Sequence, residues 1–175
     1  MELAVLLPIA AFIALAAGLA VVLRSTGRIV ARTRELDQFK SRTRDLAGRI
    51  DASLGGAAGQ IDAVRRRQLD PREIVATLEA AGDAVERYTE EARALHGPAK
   101  AEAIRADLLE ELGRAARALE MVKHGTGVLV DARGPTELEA QTSIKRGYLN
   151  LLHAREAIGR NAAEAAQLTT EDHTM

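Results

Sequence analysis

The chain has 175 residues, room for one ordinary domain beside a membrane anchor but not for two domains. Hydrophobic residues make up 47% and aromatics only 2%, with no Trp and no Cys, so a core must be built from Leu, Ile, Val and Ala, and disulfides, zinc-thiolate sites, iron-sulfur clusters and thiol nucleophiles are excluded. The net charge of −1 hides an asymmetry: residues 24–50 carry eight Arg or Lys against Glu35, Asp37 and Asp45, a net of +5, while residues 51–175 carry sixteen basic against twenty-one acidic residues.

From Leu3 to Leu23 there are twenty-one residues without a charge, interrupted only by Pro8 and Gly18. At ~1.5 Å per residue the run spans about 31 Å, close to the roughly 30 Å of a bilayer's hydrocarbon layer, and it predicts a single transmembrane helix. A cleaved signal peptide is the competing reading. Only Met1 and Glu2 precede the run, so the basic leader is missing, and the run exceeds the roughly 7 to 15 apolar residues of a signal peptide. Arg24, Arg28, Arg32 and Arg34 flank the other end. The positive-inside rule then predicts a single-pass protein of the cell membrane with its C-terminal domain in the cytoplasm. These arginines and the rest of 24–50 are also candidates for contact with anionic lipid head groups, where each contributes ~1 kcal/mol, although setting topology accounts for them by itself.

Behind the anchor, Asp70-Pro71, Gly97-Pro98 and Gly134-Pro135 each look like the end of one helix and the start of the next. They divide the chain into helices over roughly 28–69, 71–96, 98–124 and 135–168. Apolar residues step by three and four within each: Leu36, Phe39, Thr43, Leu46, Ile50, Leu54, Ala57, Ile61 and Val64 in the first, and Ile74, Leu78, Ala81, Val85, Tyr88, Ala92 and Leu95 in the second. The third carries Ile104, Leu108, Leu112, Ala115, Leu119 and Val122, the fourth Ile144, Tyr148, Leu151, Ile158, Ala162 and Ala165. Such stripes bury themselves only against one another, so the expected fold is all-α: a transmembrane helix followed by an antiparallel bundle with a long membrane-proximal helix.

Gly55, Gly56 and Gly59 weaken that first helix, and a kink or turn there would raise the bundle from four helices to five. The stretch HGTGVLVDARGP, from His124 to Pro135, does not read as helix; it is expected to be a connector with a short extended Val128-Leu129-Val130 core. The expected organisation is an anchor at 1–24, a basic juxtamembrane stalk at 25–70, the remaining bundle helices at 71–168 and a disordered tail at 169–175.

Chemistry is sparse. Gly125-x-Gly127 lacks the third glycine, the Lys-Ser/Thr pair and the preceding strand of a nucleotide loop. His96 and His124 each precede a glycine at an expected helix C-terminus, where a partly charged imidazole suits the dipole. Glu120 with His124, and His153 with Glu156, share helical faces, but one pair is reversed and the other mis-spaced relative to di-metal carboxylate bundles, so no metal, cofactor or catalytic set is expected. Arg65, Arg66 and Arg67 are the most distinctive charged residues, fanned around a helix end as candidates for binding a phosphate or an acidic partner. Lys145, Arg146 and Arg155 on the last helix are similar in kind. Without interleaved aromatics, in an acidic domain, these basic residues do not indicate nucleic acid.

The plan of an outer N-terminus, one membrane helix and a long-helix cytoplasmic bundle is similar to that of bacterial LemA-type proteins and single-pass coiled-coil accessory proteins. Residues 28–70 lack the aromatic-rich motif of the LemA group, so the similarity carries no residue roles. The Ala- and Arg-rich composition suggests a bacterium. The function expected is that of a membrane-tethered, non-enzymatic interaction or scaffold protein that binds a protein partner or itself. The alternatives are an accessory subunit of a membrane complex, packing through Ala10, Ala14, Ala17 and Gly18, or a helical signalling fragment.

Overall fold

The computed structural model describes the backbone of residues 2–131 and 135–169, and the side chains of residues 30–130 and 136–169. Among the described residues the chain is all-helical, without a strand: α1 (Glu2–Arg65), a 3-10 turn (Pro71–Ile74), α2 (Val75–Arg93), α3 (Ala101–Asp131) and α4 (Pro135–Gln167). α1 is flanked by α2 and α4, and α3 by the same two helices, which makes a four-helix ring. Contacts across it run in opposite senses: Arg49 meets Glu91 and Gln60 meets Thr77, Lys123 meets Glu79, and Asp51 meets Arg155 while Arg67 meets Glu137. Neighbouring helices are therefore antiparallel, and short connections suffice to join them.

The stripes are the core. Every predicted stripe residue of α1, from Leu36 to Val64, is buried, as are those of the second and third segments; in α4 Ile144, Leu151, Ile158 and Ala165 are buried and Tyr148 and Ala162 partly so. Alanines fill the places between: Ala47, Ala58, Ala84, Ala118 and Ala154 are all buried. α1 joins this core one turn past exposed Val30 and Arg32, and the near end of the bundle, where α1 enters, is closed by the turn between α2 and α3. There a Cβ on Gly97 would stand 2.9 Å from the Phe39 ring, so glycine lets the turn lie directly on that ring.

Three expectations change. The glycines of α1 neither break nor turn it: the helix is continuous through Gly55, Gly56 and Gly59, and the bundle has four helices. Ala57, Ala58 and Ile61 are buried across that stretch, and Arg155 of α4 fills the space beside Gly55, so tertiary packing outweighs a weak local propensity. The expected connector from His124 is likewise helical as far as Asp131; its remainder, 132–134, lies outside the described residues.

The reason is contact with α4. A Cβ on Gly125 would stand 2.8 Å from Ile144 and 3.0 Å from the Ala140 carbonyl, and one on Gly147 would stand 2.6 Å from Val122 and 2.8 Å from the Ala118 carbonyl. The two glycines let the α3 and α4 backbones approach, and buried Thr126 satisfies its hydroxyl by donating to the carbonyls of Val122 and Lys123 at 3.0 and 2.9 Å. His124 is consequently an exposed mid-helix residue and not a C-terminal one.

The apolar run 3–23 lies on the same unbroken helix as the core stripe. Its side chains, with those of Arg24 and Arg28, lie outside the described set, and so does the expected tail from residue 170. Among the described residues no helix is long and apolar enough to cross a membrane.

Candidate interaction site

The Arg65, Arg66, Arg67 run sits at the far end of the bundle, opposite the end where α1 enters. α1 ends there in a double hydrogen-bonded cap: Gln68 N–H donates to the Ala63 carbonyl at 2.8 Å and Arg67 N–H to that of Val64 at 2.9 Å. This pattern needs a left-handed residue at Arg67, whose φ is 59°, and most helices place glycine there. The next element starts at once. Asp70 accepts from Arg72 N–H at 2.8 Å, Glu73 accepts from Asp70 N–H at 3.3 Å, and Pro71 supplies a first-turn residue with no donor to satisfy.

The arginines do not fan freely into solvent. Arg65 and Arg66 both reach Asp62, at 3.0 and 2.7 Å, and the Arg65 guanidinium lies 4.8 Å from the centre of the Tyr148 ring. Arg67 crosses to Glu137 at the start of α4, 3.1 Å away, and Glu137 also accepts from Gln141 at 2.9 Å. Three cations thus face two carboxylates, and Arg67 remains 76% exposed.

Arg65 and Arg67 line one side of an open groove of about 850 Å³. Leu69, Leu129 and Leu138 give it an apolar floor and rim, and Lys145 stands on the opposite side; Arg66 is not part of it. Leu138 is 71% exposed, the most exposed large hydrophobic side chain among the described residues. Glu137 and Leu138 were not legible as site residues, because Glu137 meets Arg67 from 70 positions away and only the closing of α4 onto α1 joins them.

The other candidates separate. Arg32 and Arg34 are exposed on α1 where it leaves the bundle. Arg155 is held by Asp51 at 2.7 Å across the α1–α4 contact. Glu120, His124, His153 and Glu156 are each exposed, Glu156 is paired with Arg160 at 2.8 Å, and among the described residues no group of three or more His, Cys, Asp or Glu is placed to hold a metal.

Between α1 and α2, Arg49 forms a two-pronged pair with Glu91 and lies 5.7 Å from the centre of the Tyr88 ring. The hydrogen bond from Arg49 holds the Glu91 carboxyl below its ordinary value, and Glu91 holds the guanidinium above its own. This pair and the Tyr88 hydroxyl, which shares a 2.7 Å hydrogen bond with Ser53, fasten two helices together, and Arg49 and Glu91 line an open pocket of about 330 Å³, smaller than the groove at the far end.

The site therefore offers apolar surface and cationic groups at a helix junction, a chemistry of association. Comparison of the chain with family models, with curated proteins and with solved structures finds no match in any of the three.

Proposed function

We propose that the chain is a membrane-tethered, non-enzymatic helical interaction protein, held in the bilayer by residues 3–23 with its bundle on the cytoplasmic side. The observation that supports this most is the continuity of α1: the charge-free run and the stripe that builds the core belong to one helix of 64 residues, ~96 Å long at 1.5 Å per residue. A helix that is apolar all round in one part and amphipathic in the next matches a change of surroundings from lipid to protein. Arg24, Arg28, Arg32 and Arg34 lie where such a helix would leave the membrane and would hold that end on the cytoplasmic side. The groove of Arg65, Arg67, Leu138 and Lys145 lies at the opposite end of the bundle, presented away from the lipid.

The reading is tested on the full chain expressed in bacterial cells. Alkaline carbonate should leave it in the membrane pellet, and a cysteine placed at Gly127, in a chain with none of its own, should react only with membrane-permeant thiol reagents. Release into the supernatant would remove the anchor, and labelling by an impermeant reagent on intact cells would reverse the orientation.

A further inference from the structure

The outward faces of α3 and α4 are built differently. On α3 the outward side is charged and internally paired, Glu102 with Arg105 and Glu110 with Arg114, the surface of a helix that faces water. On α4 the positions opposite the buried stripe are Leu138, Thr142, Lys145, Leu149, Leu152, Glu156, Gly159 and Ala163, spaced alternately by four and three. At 3.6 residues per turn they fall within an arc of about 100°. Leu138 and Leu149 are 71% and 41% exposed, and Leu152, at the edge of the stripe, is partly buried and also packs against the core. This is a second heptad stripe on one helix, turned away from its own core at every position except Leu152.

We propose that this stripe pairs with the same stripe of a second copy in antiparallel orientation, about a two-fold axis passing between positions 149 and 152. The order of the side chains carries both the occupant and the direction. Reversing the stripe on itself sets Leu149 against the partner's Leu152, Lys145 against the partner's Glu156, Thr142 against the partner's Gly159 and Leu138 against the partner's Ala163. Every position meets a stripe position, apolar meets apolar or small, and the two charges meet their opposites. A parallel pair sets Lys145 against Lys145 and Glu156 against Glu156, which opposes like charges twice. Lys145 makes no ion pair among the described residues, and Glu156, 71% exposed, would share its carboxylate between its own Arg160 and the partner's Lys145. The partner's helix would lie along the Leu138 and Lys145 rim of the far groove and cover the most exposed leucine.

This deepens the proposed interaction role by naming its partner, and the pairing itself does not rest on the anchor. The two readings together have a geometric consequence. α1 enters the bundle at the end where α4 finishes, so an antiparallel pair sends its two N-terminal segments out of opposite ends.

The test uses the full chain in mild detergent, where neither orientation is imposed. K145C chains mixed with E156C chains should give a mixed disulfide in at least ~10-fold excess over either self-disulfide, since cysteine is otherwise absent. Self-disulfides in excess would mean parallel pairing, and no disulfide in any mixture would mean no pairing along α4; either result overturns the proposal. Both positions are exposed, and unchanged circular dichroism would exclude misfolding. As an independent arm, K145E and E156K should each raise the dimer dissociation constant by ~10-fold or more, and the double reversal should restore it. Loss in the double variant as well would again overturn the proposal. Failure of carbonate extraction to retain the chain would remove the anchor while leaving both of these readouts unaffected.

Discussion

α3 and α4 meet through their backbones, whereas α1 and α2 meet through their side chains. In the first contact Gly125 and Gly147 each lie against the opposite helix so closely that one added carbon would fall within 2.6 to 3.1 Å of its atoms. In the second, polar pairs bridge the gap at intervals: Arg49 with Glu91, Ser53 with Tyr88, and Gln60 with Thr77 at 2.7 Å. Close-packed interiors tolerate little change in volume, while exposed polar bridges such as Arg49–Glu91 and Gln60–Thr77 each contribute a fraction of a kcal/mol. The α3–α4 contact is therefore the closer of the two. α1, the helix that runs back to the N-terminal segment, shares the buried core with α2 and adds to it polar bridges that salt, pH or a single substitution can weaken.

The largest effect should come from the closer contact. Gly147→Ala introduces a carbon 2.6 Å from Val122 Cγ2 and 2.8 Å from the Ala118 carbonyl, and should destabilise by about 1–3 kcal/mol despite alanine's better helix propensity. Gly125→Ala should behave alike, and denaturant unfolding of the full chain in detergent, followed by circular dichroism, would measure both. No loss of stability in either variant would mean that the two backbones are not in contact.

Thr43 offers a smaller effect of opposite sign on α1. It is fully buried in the stripe between Phe39 and Leu46, and its hydroxyl has no hydrogen-bond partner. Thr43→Val keeps the shape and removes an unsatisfied polar group, so it should stabilise by about 1 kcal/mol in the same assay. A destabilised Thr43→Val would indicate that the hydroxyl is satisfied in solution. Gly56 and Gly59 meet nothing in the direction of a Cβ, and replacing either by Ala should stabilise by about 0.5–1 kcal/mol. The same substitution therefore reverses sign between α1 and the α3–α4 contact.

That reversal marks where the sequence stops being legible. The stripes could be read because burial follows a period of three and four, and period is a local property. Thr43 was placed in its stripe on spacing alone, against its polarity, and it is buried. What a glycine does depends on the neighbouring helix: Gly56 and Gly125 look alike in sequence, yet only the second has Ile144 against it. Counting glycines as breakers therefore suggested a fifth helix near Gly55 and a connector from His124, where the chain has neither. The far site was partly visible in Arg65, Arg66 and Arg67, but the acids that engage them were only half visible. Asp62 is one turn away on the same helix, whereas Glu137 comes from α4.

The smallest effect tests the nature of the α1–α2 contact. Arg49 holds the Glu91 carboxyl below its ordinary value of 4.5, so in the folded chain Glu91 keeps its charge at pH values where the unfolded chain already binds a proton. A depressed carboxylate stabilises above its unfolded value and loses that contribution as pH falls through the lower folded value. Glu91→Gln keeps the shape and the neighbouring Arg49–Tyr88 contact and removes only the titrating charge. The parent protein should therefore melt slightly higher than the variant at pH 7, with the difference narrowing as pH falls below the ordinary carboxylate value. Because both side chains of the pair are about half exposed, the difference at pH 7 should also shrink in high salt. A gap in melting temperature that did not narrow as pH fell, or that ignored salt, would show that the Arg49–Glu91 pair acts through packing and not charge, and would erase the contrast between the two contacts.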